Sequence, residues 1–248
     1  MAVLPGAEPF SHEGNEVGVL VCHGYSSTPQ SMRPWAQHLA DQGYTVRLPL
    51  LPGHGTTWQD LGRTRWTDWY AVLEREFADL QKRCQAVFAV GLSLGGLLAT
   101  KIALDHGPHV QGIVVVNPIF KHNHPALPLL PVLSRIVPYF PGIAGDIRKP
   151  GVTELAYDKN PLRSMYSQTQ LWSIVGADLP ELTQPVLLYR SRVDKVVPKV
   201  SADYFLSRIC SKDVTEVWLE DSQHVATLDN DAETIFAGSV EFIERLRG

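Results

Sequence analysis

Residues 91–95 read Gly-Leu-Ser-Leu-Gly, and the reading of this stretch decides the fold. It fits the pattern G-x-S-x-G with Ser93 at its centre. Glycines on both sides let the chain turn sharply from strand to helix, which lifts the serine hydroxyl to the end of a sheet. The flanks agree. Gln85 to Val90 is a short apolar run of strand type, and Leu94 to His106 is a proline-free, small-residue and apolar stretch that reads as a buried helix. Gly96 beside Gly95 permits close packing of that helix on the sheet. The competing reading is a glycine-rich turn that merely holds a serine.

A reactive serine needs a base, and the base needs an orienting acid. For a serine on such a turn the partners follow in the order acid, then histidine, in loops after late strands. Pro185 to Arg190 predicts a strand, and Asp194 lies four residues beyond it. Val214 to Leu219 alternates as a half-buried strand and runs into Glu220-Asp221-Ser222-Gln223-His224. Asp194 and His224 are therefore the candidate acid and base. Asp221 is a rival acid, although three residues before His224 it is poorly placed to face that ring. His23 and His54 also sit in glycine-bearing loops, but His23 precedes Ser93, the wrong order. An oxyanion would need two preorganised backbone N–H donors. The pattern assigns one to Leu94 and the other to the loop after the early strand Val17 to Cys22, where Tyr25 follows His23-Gly24. The bland alternative for that loop is a simple tight turn.

Taken together, His23-Gly24, Pro52-Gly53-His54-Gly55-Thr56-Thr57, Gly91 to Gly96, Asp194 before Val196-Val197-Pro198, and Ser222 to Asp229 resemble the α/β-hydrolase superfamily along nearly the whole chain. The resemblance is to its bacterial carboxylesterase and monoacylglycerol lipase branch. It implies an α/β fold with a mostly parallel, eight-stranded sheet, helices on both faces and a small inserted cap. It implies Ser93 as nucleophile, His224 as base, Asp194 as orienter, and backbone donors at Tyr25 and Leu94. Gln223 departs from the pattern, where a small residue such as glycine is expected.

Composition fits one α/β domain with a substantial core: 248 residues, 44% hydrophobic, net charge −4. That charge balance gives no reason to expect nucleic acid as a partner. No window reaches the ~18 apolar residues of a membrane helix. Met1 to Gly6 shows neither a basic nor a long apolar leader region, so a cytoplasmic location is expected. Cys22, Cys84 and Cys210 are an odd, sparse set without metal-ligand spacing; Cys22, on a strand, reads as a small buried hydrophobe. No metal or organic cofactor is expected.

Strands and helices alternate along the chain. The first sixteen residues read as short antiparallel edge strands turning at Gly14-Asn15. A helix near Ser31 to Gln42 ends at Gly43, Tyr44 to Leu48 is a strand, and Trp66 to Arg83 is a long amphipathic helix with Thr67 as its expected N-cap. Val110 to Val116 is a strand of the buried parallel type. The alternation then breaks. Eight of the eighteen prolines fall between Pro118 and Pro161. Residues 1–117 and 167–248 are read as the two parts of the core, and 118–166 as a cap inserted at the end of a strand, where open α/β sheets bind ligands. A large surface loop packed on itself is the alternative.

An apolar cap favours medium or long acyl groups over acetyl, with monoacylglycerols the specific candidate from the resemblance. Gly151 to Ala156 resembles the branch's glycerol-contacting segment, so Glu154 is a candidate for a glycerol hydroxyl; a solvated helical glutamate is the equal alternative. The expected partner is a small acyl ester, with room for transient contact with lipid aggregates. A short-chain carboxylesterase, a thioesterase, an acyltransferase and a ligand-binding module on the same scaffold remain open, because fold does not fix function.

Overall fold

The turn at Ser93 forms as the pattern predicts. In the computed structural model, which describes residues 2–142 and 144–247, a strand ends at Leu92 and a helix begins at Leu94. The elements in chain order are β1 (Phe10–His12), β2 (Val17–Cys22), α1 (Arg33–Asp41), β3 (Thr45–Leu48), α2 (Trp58–Leu61), α3 (Trp66–Arg83), β4 (Ala86–Leu92) and α4 (Leu94–His106). There follow β5 (Gly112–Val116), α5 (Leu130–Ile136), β6 (Tyr139–Pro141), β7 (Lys159–Pro161), α6 (Leu162–Asp178), β8 (Val186–Ser191), α7 (Val200–Leu206), β9 (Val214–Leu219) and α8 (Ala232–Leu246).

The main sheet has the order β1-β3-β2-β4-β5-β8-β9, with β1 antiparallel and the other pairings parallel. Period-two alternation splits its side chains between two cores. Leu20, Ala89, Ile113, Val115 and Leu188 pack with α3, α4 and α6 through Trp69, Phe77, Leu98 and Leu171. Val19, Val21, Val90, Val114 and Leu187 pack on the other face with α1 and α8 through Trp35, Leu39, Phe236 and Ile243. Burial on both faces is why these strands read as continuous apolar runs.

Three expectations are corrected. The main sheet has seven described strands, not eight. Of the expected edge strands only β1 forms, and it pairs antiparallel with β3 rather than across Gly14-Asn15; before it, Pro5 and Pro9 have no N–H to give a ladder. That stretch lies instead against the 52–57 loop, where the Leu4 N–H donates to Gly55 O at 2.8 Å. Finally, α3 is capped at Arg65 rather than Thr67: the Arg65 N–H donates to the Asp68 carboxylate at 2.8 Å. Gly43 ends α1 with φ +88°, the left-handed conformation expected of it. Cys22 is fully buried, and burial pushes its thiol well above the usual range.

The helix α4 touches the sheet backbone to backbone. A Cβ on Gly95 would stand 1.9 Å from Cys22 O, and one on Gly91 would stand 2.3 Å from Gly95 C. Gly96 is also tight, at 2.9 Å from the Pro118 Cβ, but Gly95 makes the closer approach. Gly95→Ala should therefore destabilise the fold by about 3 kcal/mol or more, lowering Tm by roughly 6 °C or more at this chain length. A thermal melt within about 1 °C of the parent would show that α4 lifts off β2 without cost.

Candidate active site

Ser93 holds φ +56° and ψ −117°, a conformation that costs a non-glycine residue strain. Its backbone is fixed on every side: its N–H donates to Val116 O at 3.0 Å, and its carbonyl accepts from Gly96, Leu97 and Ile119. The side chain projects at the carboxyl end of β4, where only 8% of the residue is exposed. The next residue, Leu94, opens α4, so its N–H has no intrahelical acceptor. Among the described residues neither that N–H nor the Tyr25 N–H is taken by a protein acceptor, and the Ser93 hydroxyl is likewise unengaged.

Asp194 and His224 are brought together from the loops after β8 and β9. His224 Nδ1 lies 2.8 Å from Asp194 Oδ2, and both side chains are at least nine-tenths buried. The other Asp194 oxygen accepts from the Val196 and Val197 N–H groups at 2.8 and 2.7 Å, which locks the carboxylate in place. The rival Asp221 turns away, pairing with Arg148 at 2.7 Å. His23 and His54 lie beneath the site instead. His23 Nε2 accepts from the Leu51 N–H at 3.1 Å, and burial pulls its pKa down to about 4. Burial pushes His54 well below the histidine range too, with its ring 5.0 Å from that of His23.

Burial acts to lower the His224 pKa, but the adjacent Asp194 charge and hydrogen bond, with the charges of Glu154 and Asp146, outweigh it and leave the group raised. Ser93 and His224 both line one cavity of about 670 Å³. Its apolar walls come from the segment between β5 and α6, through Leu127, Leu130, Leu133, Val137 and Phe140, and from Leu162, Met165 and Trp172 of α6. The expected cap boundary at residue 166 falls inside α6.

The segment between β5 and α6 is stitched to the loop that follows β2. The Tyr25 hydroxyl donates to Pro161 O at 3.0 Å and lies 2.8 Å from Ser164 Oγ. The Tyr157 N–H donates to Ser26 O, and Gln30 exchanges side-chain bonds with Thr153 and Leu155. Glu154 lies in a loop rather than a helix, half-buried, lining the cavity and accepting from the Gly145 N–H at 3.1 Å.

Two residues at the site have no signal in the sequence pattern. Asn117, at φ +43°, donates to Ser191 Oγ and His224 O, both at 2.9 Å, and so braces the histidine loop against β8. Asp146, from the segment between β5 and α6, is buried and accepts from the His224 N–H at 3.2 Å. Asn117 is findable only as the residue that ends a strand on the ligand side; Asp146 sits in an irregular stretch with no periodicity to mark it.

The arrangement supplies a serine hydroxyl, an imidazole backed by a carboxylate, two unengaged N–H groups and an apolar chamber. Comparison with known proteins agrees with it. The family model described as Serine aminopeptidase, S33 (Hydrolase_4) matches residues 15–231. The chain is 41% identical over 247 residues to a thermostable monoacylglycerol lipase of Bacillus sp. (strain H-257), covering 99% of this chain and 98% of that one. A solved structure reported with LipS and LipT, two metagenome-derived lipolytic enzymes, is 38% identical with a TM-score of 0.95, covering 98% of this chain and all 100% of that one. The monoacylglycerol lipase of Paleococcus ferrophilus shares the fold, with a TM-score of 0.79 at 18% identity and 98% of each chain covered. A match of this extent, on a chain with this sheet and this serine turn, makes the protein a member of the Hydrolase_4 family of serine hydrolases with the α/β-hydrolase fold.

Proposed function

We propose that the chain hydrolyses monoacylglycerols and similar medium- or long-chain acyl esters through an acyl-enzyme. The observation that carries the reading is the largely apolar cavity of about 670 Å³ that Ser93 and His224 share, with Glu154 among its polar walls. Chambers of this size and lining suit a drug-sized apolar ligand. The relatives named as lipases support the same substrate class.

In the proposed reaction His224 takes the Ser93 proton as the hydroxyl oxygen bonds to the ester carbonyl carbon. Asp194 holds the ring with its Nδ1–H inward and stabilises the imidazolium. The Tyr25 and Leu94 N–H groups receive the oxyanion. His224 then returns the proton to the leaving alcohol as the carbon–oxygen bond breaks. Water, giving a proton to His224, attacks the acyl-enzyme and releases the acid and the serine. No step calls for a metal or organic cofactor. Residues 118–161 act as the cap, and Glu154 accepts a hydrogen bond from a glycerol hydroxyl. Contact with lipid aggregates is part of the proposal, supported by Leu129, Val132 and Ile136, which α5 and its approach expose by 59%, 59% and 72%. No described helix is long and apolar enough to cross a membrane. A cytoplasmic location is part of the proposal and is tested by cell fractionation.

Ser93→Ala should lower kcat by about 10⁴-fold or more on every ester. On the parent, kcat/KM should rise by up to about fourfold per added methylene until the cavity is full. Turnover confined to thioesters or acetyl esters would contradict the substrate class.

The rate needs neutral His224, whose pKa is raised. Activity should therefore be lost as pH falls, with the acid-limb midpoint above 6.5, the ordinary histidine value. A parent profile whose midpoint lies below 6.5 would contradict the charge arrangement around the ring.

Glu154→Gln should raise KM about tenfold for a monoacylglycerol, the worth of a hydrogen bond to a charged group, and leave KM for a simple alkyl ester nearly unchanged. Equal changes on both esters would remove the glycerol assignment.

A further inference from the structure

The insertion does more than roof the cavity. Its residue Asp146 reaches under the site, with its side chain only 2% exposed. One carboxylate oxygen, Oδ2, accepts from two backbone N–H groups on different loops: Lys195 at 3.1 Å and His224 at 3.2 Å. Lys195 follows the acid Asp194, so this single oxygen spans the loops that carry the acid and the base. The other oxygen, Oδ1, faces Lys195 Nζ at 3.5 Å. With the Gln223 amide turned so that its nitrogen faces Asp146, Gln223 donates to Oδ1 at 2.8 Å and its own oxygen accepts from Lys195 Nζ at 3.1 Å. The Asp146 carbonyl completes the set, accepting from the Val225 N–H at 3.1 Å. A buried carboxylate held by three hydrogen bonds and an ion pair is a fixed strut, because moving it strands several partners at once. Gln223, the residue that departs from the family pattern, is the side chain that closes this cluster.

The geometry points to Asp146 as a positioning residue of the reaction, which sets the spacing of the Asp194 and His224 loops through one shared oxygen and places a buried negative charge beside the histidine. The inference rests on the reading of Ser93, Asp194 and His224 given above. It makes the insertion a part of the catalytic apparatus as well as its cover. The charged and titratable groups that bear on His224 are Asp194 behind the ring, Asp146 and Glu154 from the insertion, Lys195 paired with Asp146, and His122 on the same cavity wall.

Two substitutions separate the spacing from the charge. Asp146→Ala removes both, and should lower kcat for a p-nitrophenyl ester by about 10- to 100-fold, the cost of a small misplacement at a reacting centre, with KM within about twofold. Asp146→Asn keeps an oxygen for the two N–H groups but loses the charge. It should retain most of kcat while its acid-limb midpoint moves to lower pH, since the imidazolium loses a favourable neighbour. The second-order rate of Ser93 labelling by a fluorophosphonate should follow kcat in both variants. A parent that is labelled at Ser93 and turns over ester, beside variants with unchanged kcat and unchanged midpoint, would overturn the role of Asp146 alone. A parent that is neither labelled nor active would instead overturn the functional reading. If Asp146→Ala loses its near-UV circular dichroism, Asp146→Asn decides by its midpoint; failure of both to fold makes Asp146 a folding residue and ends the proposal.

Discussion

The close approach of Gly95 to the backbone of β2 is the contact on which the rest depends. There is no room for a side chain between α4 and Cys22 O, so the helix starts almost on the sheet. A chain that leaves β4 and must enter a helix so near has only a strained residue with which to make the corner, and Ser93 is that residue. Strain of this kind costs on the order of 1–3 kcal/mol. The surroundings offset it with bonds to the Ser93 N–H and carbonyl from β5, α4 and Ile119. The result is a hydroxyl on a rigid mount at the ligand side of the sheet, with the unpaired first N–H of α4 beside it.

Rigidity at the serine would serve little if its partners floated. They are carried by loops, yet each loop is bonded at several points. Asp194 is held by two N–H groups of its own loop, His224 by Asn117 on one side and Asp146 on the other. Asp229 adds a second tie between the β5–α6 segment and the histidine loop, accepting from the Arg148, Lys149 and Gln223 N–H groups, each at 2.8 Å. The later half of that segment is thus sewn to the core at several points, while α5 and its neighbours contribute mainly apolar wall. Polar stitching fixes the chemistry, and apolar packing shapes the chamber.

Much of this was legible in the chain, for physical reasons. Strands buried on both faces announce themselves as apolar runs; β9, half exposed, announced itself by alternation, and its observed limits match the reading. The α3 and α4 limits also match, since a 3.6-residue period and a glycine turn leave few choices. The triad candidates were legible because the serine turn dictates chain order and strand ends dictate position. What was not legible lies where tertiary contact decides. The N-terminal stretch lost its second strand to proline and to the 52–57 loop. The cap of α3 moved from Thr67 to Arg65 because Asp68 reaches back to that N–H. For Glu154 the sequence offers a glycerol contact or a solvated helical glutamate, and its loop placement follows from contacts with Gly145 and the neighbouring Gln30 stitches. Asp146 and Asn117 act through partners about eighty and over one hundred residues away, which no local window can show.

The charges around His224 bear on how a turnover ends. Asp194, Asp146 and Glu154 stand near the ring with Lys195 as the one close cation among them, three negative groups against one positive. A neutral ester meets no net force from that cluster on entering. In the proposed reaction the released acid ionises into an anion, and in a chamber with apolar walls its repulsion by those carboxylates is poorly screened. On that proposal, the apolar walls that suit an acyl chain sit beside charges that disfavour its carboxylate. In the proposed reaction, repulsion of the product comes from the same carboxylates that keep the histidine basic.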